Sequence, residues 1–246
     1  MKTQIVIVSK DSNFKLLQSD FDKAHDIAEI SVIYVENNTK TLPAVYNEYL
    51  REARKNIESI DNLIFMHSDV SFDVKQFISH LSQITNKYAL IGLCGTSTFN
   101  VSQSPLNWWT GSNPTPYEKW GCVTHGELGN QTSYFSSHSP NVMDHEVACI
   151  DGLCIIFTKD ALKSSMEFDE ELGQYDFYDS DISMQALMKY KLKIGVMVCK
   201  DLCHYSVGKS IMTDAFLETE LKIRQKWNFP IPQDSALSRL ISSKNA

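Results

Sequence analysis

The sequence predicts an α/β domain whose mostly parallel central sheet is flanked by helices. Three observations carry that reading. Four short apolar runs of strand character are spaced by helix-length segments, each run stops on polar residues, and a proline opens an amphipathic helix between the second and third runs. Such a βαβαβαβ series builds parallel strands with covering helices.

Gln4-Ile5-Val6-Ile7-Val8-Ser9 reads as the first strand and Ile30-Ser31-Val32-Ile33-Tyr34-Val35 as the second, with a weakly periodic helix between them from Asn13 to Ala28. Pro43 begins a stronger helix, with Val45, Tyr49 and Ala53 on one side and Arg51, Arg54 and Lys55 elsewhere. The third strand, Leu63-Ile64-Phe65-Met66, runs into His67-Ser68-Asp69, followed by a helix over Val74–Ile84 and a fourth strand over Ala89–Cys94. From Gly95 to Glu146 the pattern breaks. That stretch holds Trp108, Trp109 and Trp120 among Gly, Pro, Asn and Ser, and reads as an irregular, Trp-rich, ligand-facing lobe. Regularity returns with Val147–Phe157, a buried strand pair or a strand bent at Gly152. A helix follows Asp181, Ile194–Cys199 is a strand, and Asp214–Lys226 an amphipathic helix, while the tail after Pro230 is expected to be partly loose. We divide the single domain, 1–246, into a first half (1–94), an irregular insertion (95–146), a second half (147–230) and a tail (231–246).

The 246 residues suffice for a sizeable core, and 43% hydrophobic with 22% charged residues are globular values. A net charge of -7 argues against nucleic acid or an anionic membrane as the main partner. A phosphate-bearing ligand would therefore need a metal ion or backbone amides. The six cysteines form no Cys-x-x-Cys pair, the amino terminus lacks a signal peptide's features, and no apolar run reaches the roughly 20 residues of a membrane span. A reducing cytoplasm is the expected location.

Polar side chains at element ends are the candidates for chemistry. Side chains alternate along a strand, so His67 and Asp69 share a face at the carboxyl end of the third strand, where open α/β sheets bind ligands. Imidazole and carboxylate together suit a divalent cation, although a plain strand-end turn gives the same residues. Asp179 and Asp181 open a helix, where they serve equally as a cap or as a reactive pair. His204 ends the last strand region. The tryptophans offer either stacking platforms for a ligand or a small core for their own lobe.

These segments, read in order, resemble the GT-A glycosyltransferases of family 2, and more closely the StrF-like branch. The likeness runs through Leu42–Asn47, Phe65–Val70, Trp108–Val123, Asp151-Gly152, Phe168-Asp169-Glu170, Phe177–Asp181, His204–Gly208 and Lys226-Trp227. It implies the GT-A (nucleotide-diphospho-sugar transferase) fold and metal-dependent, inverting transfer of a sugar, of the kind used in polysaccharide biosynthesis. The donor would be a UDP-, GDP- or dTDP-sugar and the acceptor a carbohydrate or glycoconjugate. The family's Asp-x-Asp element reads His67-Ser68-Asp69 here, so Asp69 is the leading ligand for Mn²⁺ or Mg²⁺, with His204 and His67 as companions. Asp179 falls at the base position, with Asp181 as alternate, and Tyr178 stands where the usual Glu-Asp pair has its Glu. By position, Ser9, Glu36, Asn37 and Asn47 join His67 and Asp69 as nucleotide-sugar residues, and Trp108, Trp109, Trp120 and Asp151 face the acceptor. The altered Asp-x-Asp element also fits a non-catalytic nucleotide-sugar or glycan-binding module, and a metal-dependent hydrolase of nucleotide sugars is a third reading. Oligomeric state, monomer or homo-oligomer, stays open.

Overall fold

Ile5–Val8, Leu63–Met66, Leu90–Ile91 and Cys154–Phe157 are buried on both faces, and their strands form the middle of a seven-stranded sheet. The computed structural model describes residues 1–10, 18–24, 29–99, 101–102, 106, 119–127, 130–135, 143–173, 175–199, 201–206 and 213–244. Strands β1 (Lys2–Val8), β2 (Glu29–Val35), β3 (Asn62–His67), β5 (Leu90–Gly92), β9 (Asp144–Val147), β11 (Cys154–Thr158) and β12 (Ile194–Met197) are ordered β2-β1-β3-β11-β5-β12-β9. Five of them point the same way. β11, slotted between β3 and β5, and the edge strand β9 run opposite. The α/β architecture with helices on the sheet is the one the sequence predicts.

The apolar runs divide by strand alternation. Ile5, Ile7, Ile64, Met66, Ile91 and Ile156 pack toward α1 (Gln18–Ala24) and α3 (Val74–Ile84). Val6, Val8, Leu63, Phe65, Leu90 and Phe157 pack toward α2 (Leu42–Lys55) and α4 (Lys159–Lys163) on the other face. Each fully buried side chain of this size contributes about 1.5–3 kcal/mol. The helices start where the sequence offers caps. Thr41 Oγ1 accepts from the Ala44 amide at 3.2 Å, Asp73 Oδ1 from the Gln76 amide at 3.1 Å, and Thr213 Oγ1 from the Phe216 amide at 3.2 Å at the head of α6 (Asp214–Trp227).

A second, six-stranded sheet lies beyond the carboxyl ends of the first. It is ordered β10-β6-β7-β13-β4, with β8 beside β7, and comprises β4 (Val70–Ser71), β6 (Cys94–Thr96), β7 (Lys119–Glu127), β8 (Asn130–Phe135), β10 (Cys149–Ile150) and β13 (Cys203–His204). Its strands β4, β6 and β13 follow β3, β5 and β12 after a few residues, so the carboxyl edge is roofed by the chain's own continuations.

Two expectations are corrected. The stretch from Gly95 to Glu146 is not irregular among its described residues, because β7, β8 and parts of β6 and β9 lie in it. No clean alternation marks β7, whose glycines 121 and 126 sit at φ of 109° and 125°. At Gly121 a Cβ would meet the Leu93 carbonyl oxygen at 2.4 Å. The tail after Pro230, expected to be partly loose, carries a helix among its described residues. Ala236–Lys244 forms α7, which packs on α6 with Leu237 fully buried.

A small third cluster joins Leu106, Cys149, Leu172, Phe177, Met184 and Ile223 beside a buried ion pair. Arg224 Nε donates to Glu220 Oε1 at 2.9 Å and Nη1 to the Val101 carbonyl at 2.9 Å. The same Glu220 oxygen accepts from the Leu106 amide at 3.2 Å. Among the described residues no helix is long and apolar enough to cross a membrane.

Candidate active site

Strand β3 delivers His67 to the carboxyl edge, and the turn Ser68-Asp69 passes directly into β4. The pairing of β4 with β13 sets His204 opposite Val70, and the Tyr205 amide donates to the Asp69 carbonyl at 2.8 Å. His67, Asp69 and His204 thereby converge, each offering one ligand atom within 4.8 Å of the others. His204 Nε2 is 3.4 Å, and His67 Nδ1 4.0 Å, from Asp69 Oδ1. Burial opposes ionisation of Asp69, but the hydrogen bond and charge of His204, with His67 behind it, outweigh burial and hold its pKa below the ordinary value. Burial likewise opposes protonation of His204, and Asp69 overrides it, so that pKa is raised. His67 goes the other way, lowered by burial and then by the His204 charge. Two imidazole nitrogens and a carboxylate oxygen are a donor set that suits a divalent cation.

Behind the trio runs a chain of hydrogen bonds. His67 Nε2 lies 2.8 Å from the Tyr178 hydroxyl, and that hydroxyl donates to the Gly152 carbonyl at 3.1 Å. The Gly152 amide donates to Asp179 Oδ2 at 3.0 Å. Tyr178 and Asp179 both belong to the first turn of α5 (Tyr178–Met184). Phe177, just before it, is held at φ 64°, a left-handed backbone that costs a bulky residue about 1 kcal/mol or more.

Asp179 and Asp151 line a cavity of about 170 Å³ with Gly95, Thr96, Tyr175 and Phe177. The Ser180 amide donates to Asp179 Oδ1 at 2.7 Å, and the Leu153 amide to Asp151 Oδ1 at 2.9 Å. Burial, then the neighbouring Asp151 charge, pushes the Asp179 pKa up to about 7, against the lowering effect of its backbone donors. A carboxylate poised there suits general-base work near neutrality.

The other predicted residues are distributed as follows. Asp181 is fully buried and reaches neither site. Its oxygens accept from Gln185 Nε2 at 2.8 Å, Lys226 Nζ at 2.8 Å and Trp227 Nε1 at 2.8 Å. Asn47 is also buried, and its amide is spent on the protein. Nδ2 donates to the Phe168 carbonyl at 2.8 Å, and Oδ1 accepts from the Phe168 amide at 2.8 Å. Both roles suggested by sequence position give way to a packing role, because a buried polar group must find partners inside. Ser9 follows β1, in which Val8 pairs with His67, while Glu36 and Asn37 follow β2, one strand further out. Trp120 donates its indole N–H to Ser97 Oγ at 2.7 Å and stacks on His145 at 3.4 Å between centroids, so one ring face is already covered. Trp108 and Trp109 lie outside the described residues.

Three participants escaped sequence reasoning. Tyr178 joins the two centres. His125, in β7, pairs in register with His204, their rings 5.1 Å apart. Lys10 Nζ sits 4.2 Å from the ring centroid of Tyr175, one of the residues that line the cavity. Lys10, next to Ser9 at the end of the first strand, and Tyr178, next to Asp179, carried a positional signal, and His125 carried none.

Comparison with known proteins completes the description. The model of a glycosyltransferase like family matches residues 5–226. No curated protein matches the chain. Among solved structures, A197 from STIV is 13% identical, with 87% of this chain and 98% of that one aligned at a TM-score of 0.43. GalNAc-T7 with UDP, GalNAc and Mn²⁺ is 10% identical at 0.49, over 91% of this chain and 47% of its own length. A candidate nucleotide-diphospho-sugar transferase from Desulfovibrio desulfuricans G20 is 10% identical at 0.36, over 100% and 96%.

Proposed function

Because the chain belongs to the glycosyltransferase like family, we propose that it transfers a sugar, with inversion, from a nucleotide-sugar donor to a hydroxyl of a carbohydrate or glycoconjugate acceptor. The observation that carries the proposal is the adjacency of two unlike centres at one sheet edge. One is the convergence of His67, Asp69 and His204, and the other is the cavity holding Asp179, with Gly152 hydrogen-bonded toward both.

In this reading His67, Asp69 and His204 hold a divalent cation, Mn²⁺ or Mg²⁺. When bound, that cation supplies stabilisation of the charge that develops on the departing diphosphate. Lys10, over the ring of the cavity-lining Tyr175, adds a positive charge beside the same path. Ser9, Glu36 and Asn37 border the nucleotide, and Asp151 orients the acceptor. Asp179 takes the acceptor's hydroxyl proton on a carboxylate oxygen as the new carbon–oxygen bond forms and the bond from the anomeric carbon to phosphate breaks. Asp179 alone is assigned as base, since Asp181 is sealed by Lys226 and Trp227. A UDP-, GDP- or dTDP-sugar donor, the GT-A arrangement, the StrF-like branch and a cytoplasmic setting belong to the same proposal, and six free thiols suit that compartment.

The test is a thermal-shift panel of UDP-, GDP- and dTDP-sugars with and without Mn²⁺. A metal-dependent rise with one nucleotide is expected, about 2.7 kcal/mol of stabilisation at a hundredfold excess over Kd. A flat response across the whole panel refutes the proposal.

A further inference from the structure

The Tyr178 hydroxyl has one hydrogen and two polar neighbours. The Gly152 carbonyl oxygen, 3.1 Å away, only accepts, so the hydroxyl hydrogen is committed to it. The second neighbour, His67 Nε2 at 2.8 Å, must then be the donor. Reversing the two would set a hydroxyl lone pair against a carbonyl lone pair at 3.1 Å and leave the carbonyl without a partner.

We propose that Tyr178 is a positioning residue, which holds His67 in the tautomer protonated on Nε2 and so presents the Nδ1 lone pair, beside Asp69, to a divalent cation. The second neutral tautomer would direct an N–H at that position and could not ligate. Ligating histidines are commonly fixed in this way by an acceptor on the far ring nitrogen, and losing that acceptor typically lowers metal affinity by about 10–100-fold.

Two further observations show that the hydroxyl is built into place. At Gly152 an added Cβ would stand 2.2 Å from the Tyr178 hydroxyl oxygen, so only glycine allows the approach. The Tyr178 ring is buried and packs edge-on to Tyr46, with centroids 6.0 Å apart, and against Phe168 at 6.0 Å. The hydroxyl's position is therefore set by the core before any ligand arrives.

The cation half of this inference rests on the metal reading of the trio given above, while the tautomer half does not. Nitrogen-15 NMR of the full chain, labelled at its seven histidines, reads the tautomer directly, with His67→Gln identifying the His67 signals. The expected wild-type result is a hydrogen on Nε2 and an unprotonated Nδ1. In Tyr178→Phe, which retains the ring, the preference should weaken and the Kd for Mn²⁺, followed by electron paramagnetic resonance, should rise about tenfold. A wild-type hydrogen on Nδ1 overturns the inference, and so does a Tyr178→Phe protein with wild-type Mn²⁺ affinity and unshifted signals from the other histidines. If wild type shows the Nε2–H tautomer but binds no Mn²⁺, the cation reading of the trio falls instead.

Discussion

Asp69 and Asp179 are both partly buried carboxylates at the carboxyl edge of the same sheet, yet their surroundings drive them apart. Asp69 faces two imidazoles and keeps its charge at a lower pH than an ordinary carboxylate does. Asp179 faces Asp151 in a cavity and holds its proton up to about pH 7. Both suffer desolvation, and the sign of the nearest charge decides which keeps its charge and which keeps its proton. The contrast teaches that neighbours alone can set one residue type to opposite protonation states at one sheet edge.

The most severe way to break the contrast is Asp179→Asn. Transfer should fall about 10²–10⁴-fold in a donor-and-acceptor assay, with Mn²⁺ affinity retained. Below about pH 7 the wild-type rate should decline as Asp179 takes up its proton. Stability should move the opposite way. Between the unfolded value near 4 and the folded value near 7, the native state binds the proton more tightly, so stability falls as pH rises through that window. Above it, Asp179→Asn should melt higher than wild type, by at most about 4 kcal/mol, and a lower melting point would sink the raised pKa. Next in size is Asp181→Ala, which leaves Lys226 and Trp227 with lost partners. Urea titration should show a loss of roughly 2–4 kcal/mol, and full stability would contradict the packing role given to Asp181. Asp69→Asn, which keeps the shape but not the charge, should weaken Mn²⁺ by about tenfold or more while sparing the fold, as calorimetric titration would read. The smallest effect is expected from Trp120→Phe. Losing the hydrogen bond to Ser97 should cost about 1 kcal/mol, and a much larger loss of transfer would return Trp120 to the acceptor.

How much was legible follows the range of the interactions. Strands β1, β2 and β3 and helices α2, α3 and α6 begin and end within a residue or two of the reading, because apolar runs and the caps Thr41, Asp73 and Thr213 are local signals. The second sheet was not legible, since β7 mixes Trp, Gly, Cys, Thr and His, and its pairing with β13 joins segments some eighty residues apart. Placement of β11 between β3 and β5 is likewise a tertiary choice that no single strand encodes. His67 and Asp69 could be put on one face by strand period, but the contact between His67 and Tyr178 spans 111 residues and left no periodic trace. The burial of Asn47 was hidden for the same reason, as its partner Phe168 lies 121 residues on.

The buried pair of Glu220 and Arg224 has a consequence for motion. Leu106, 1% exposed, gives its amide hydrogen to a Glu220 oxygen that Arg224 also holds, and Arg224 in turn grips the Val101 carbonyl. A loop amide anchored to a desolvated ion pair has no cheap local opening, because releasing it strands charge in the interior. Its exchange with deuterium should accordingly keep pace with the slowest core strands rather than with surface turns.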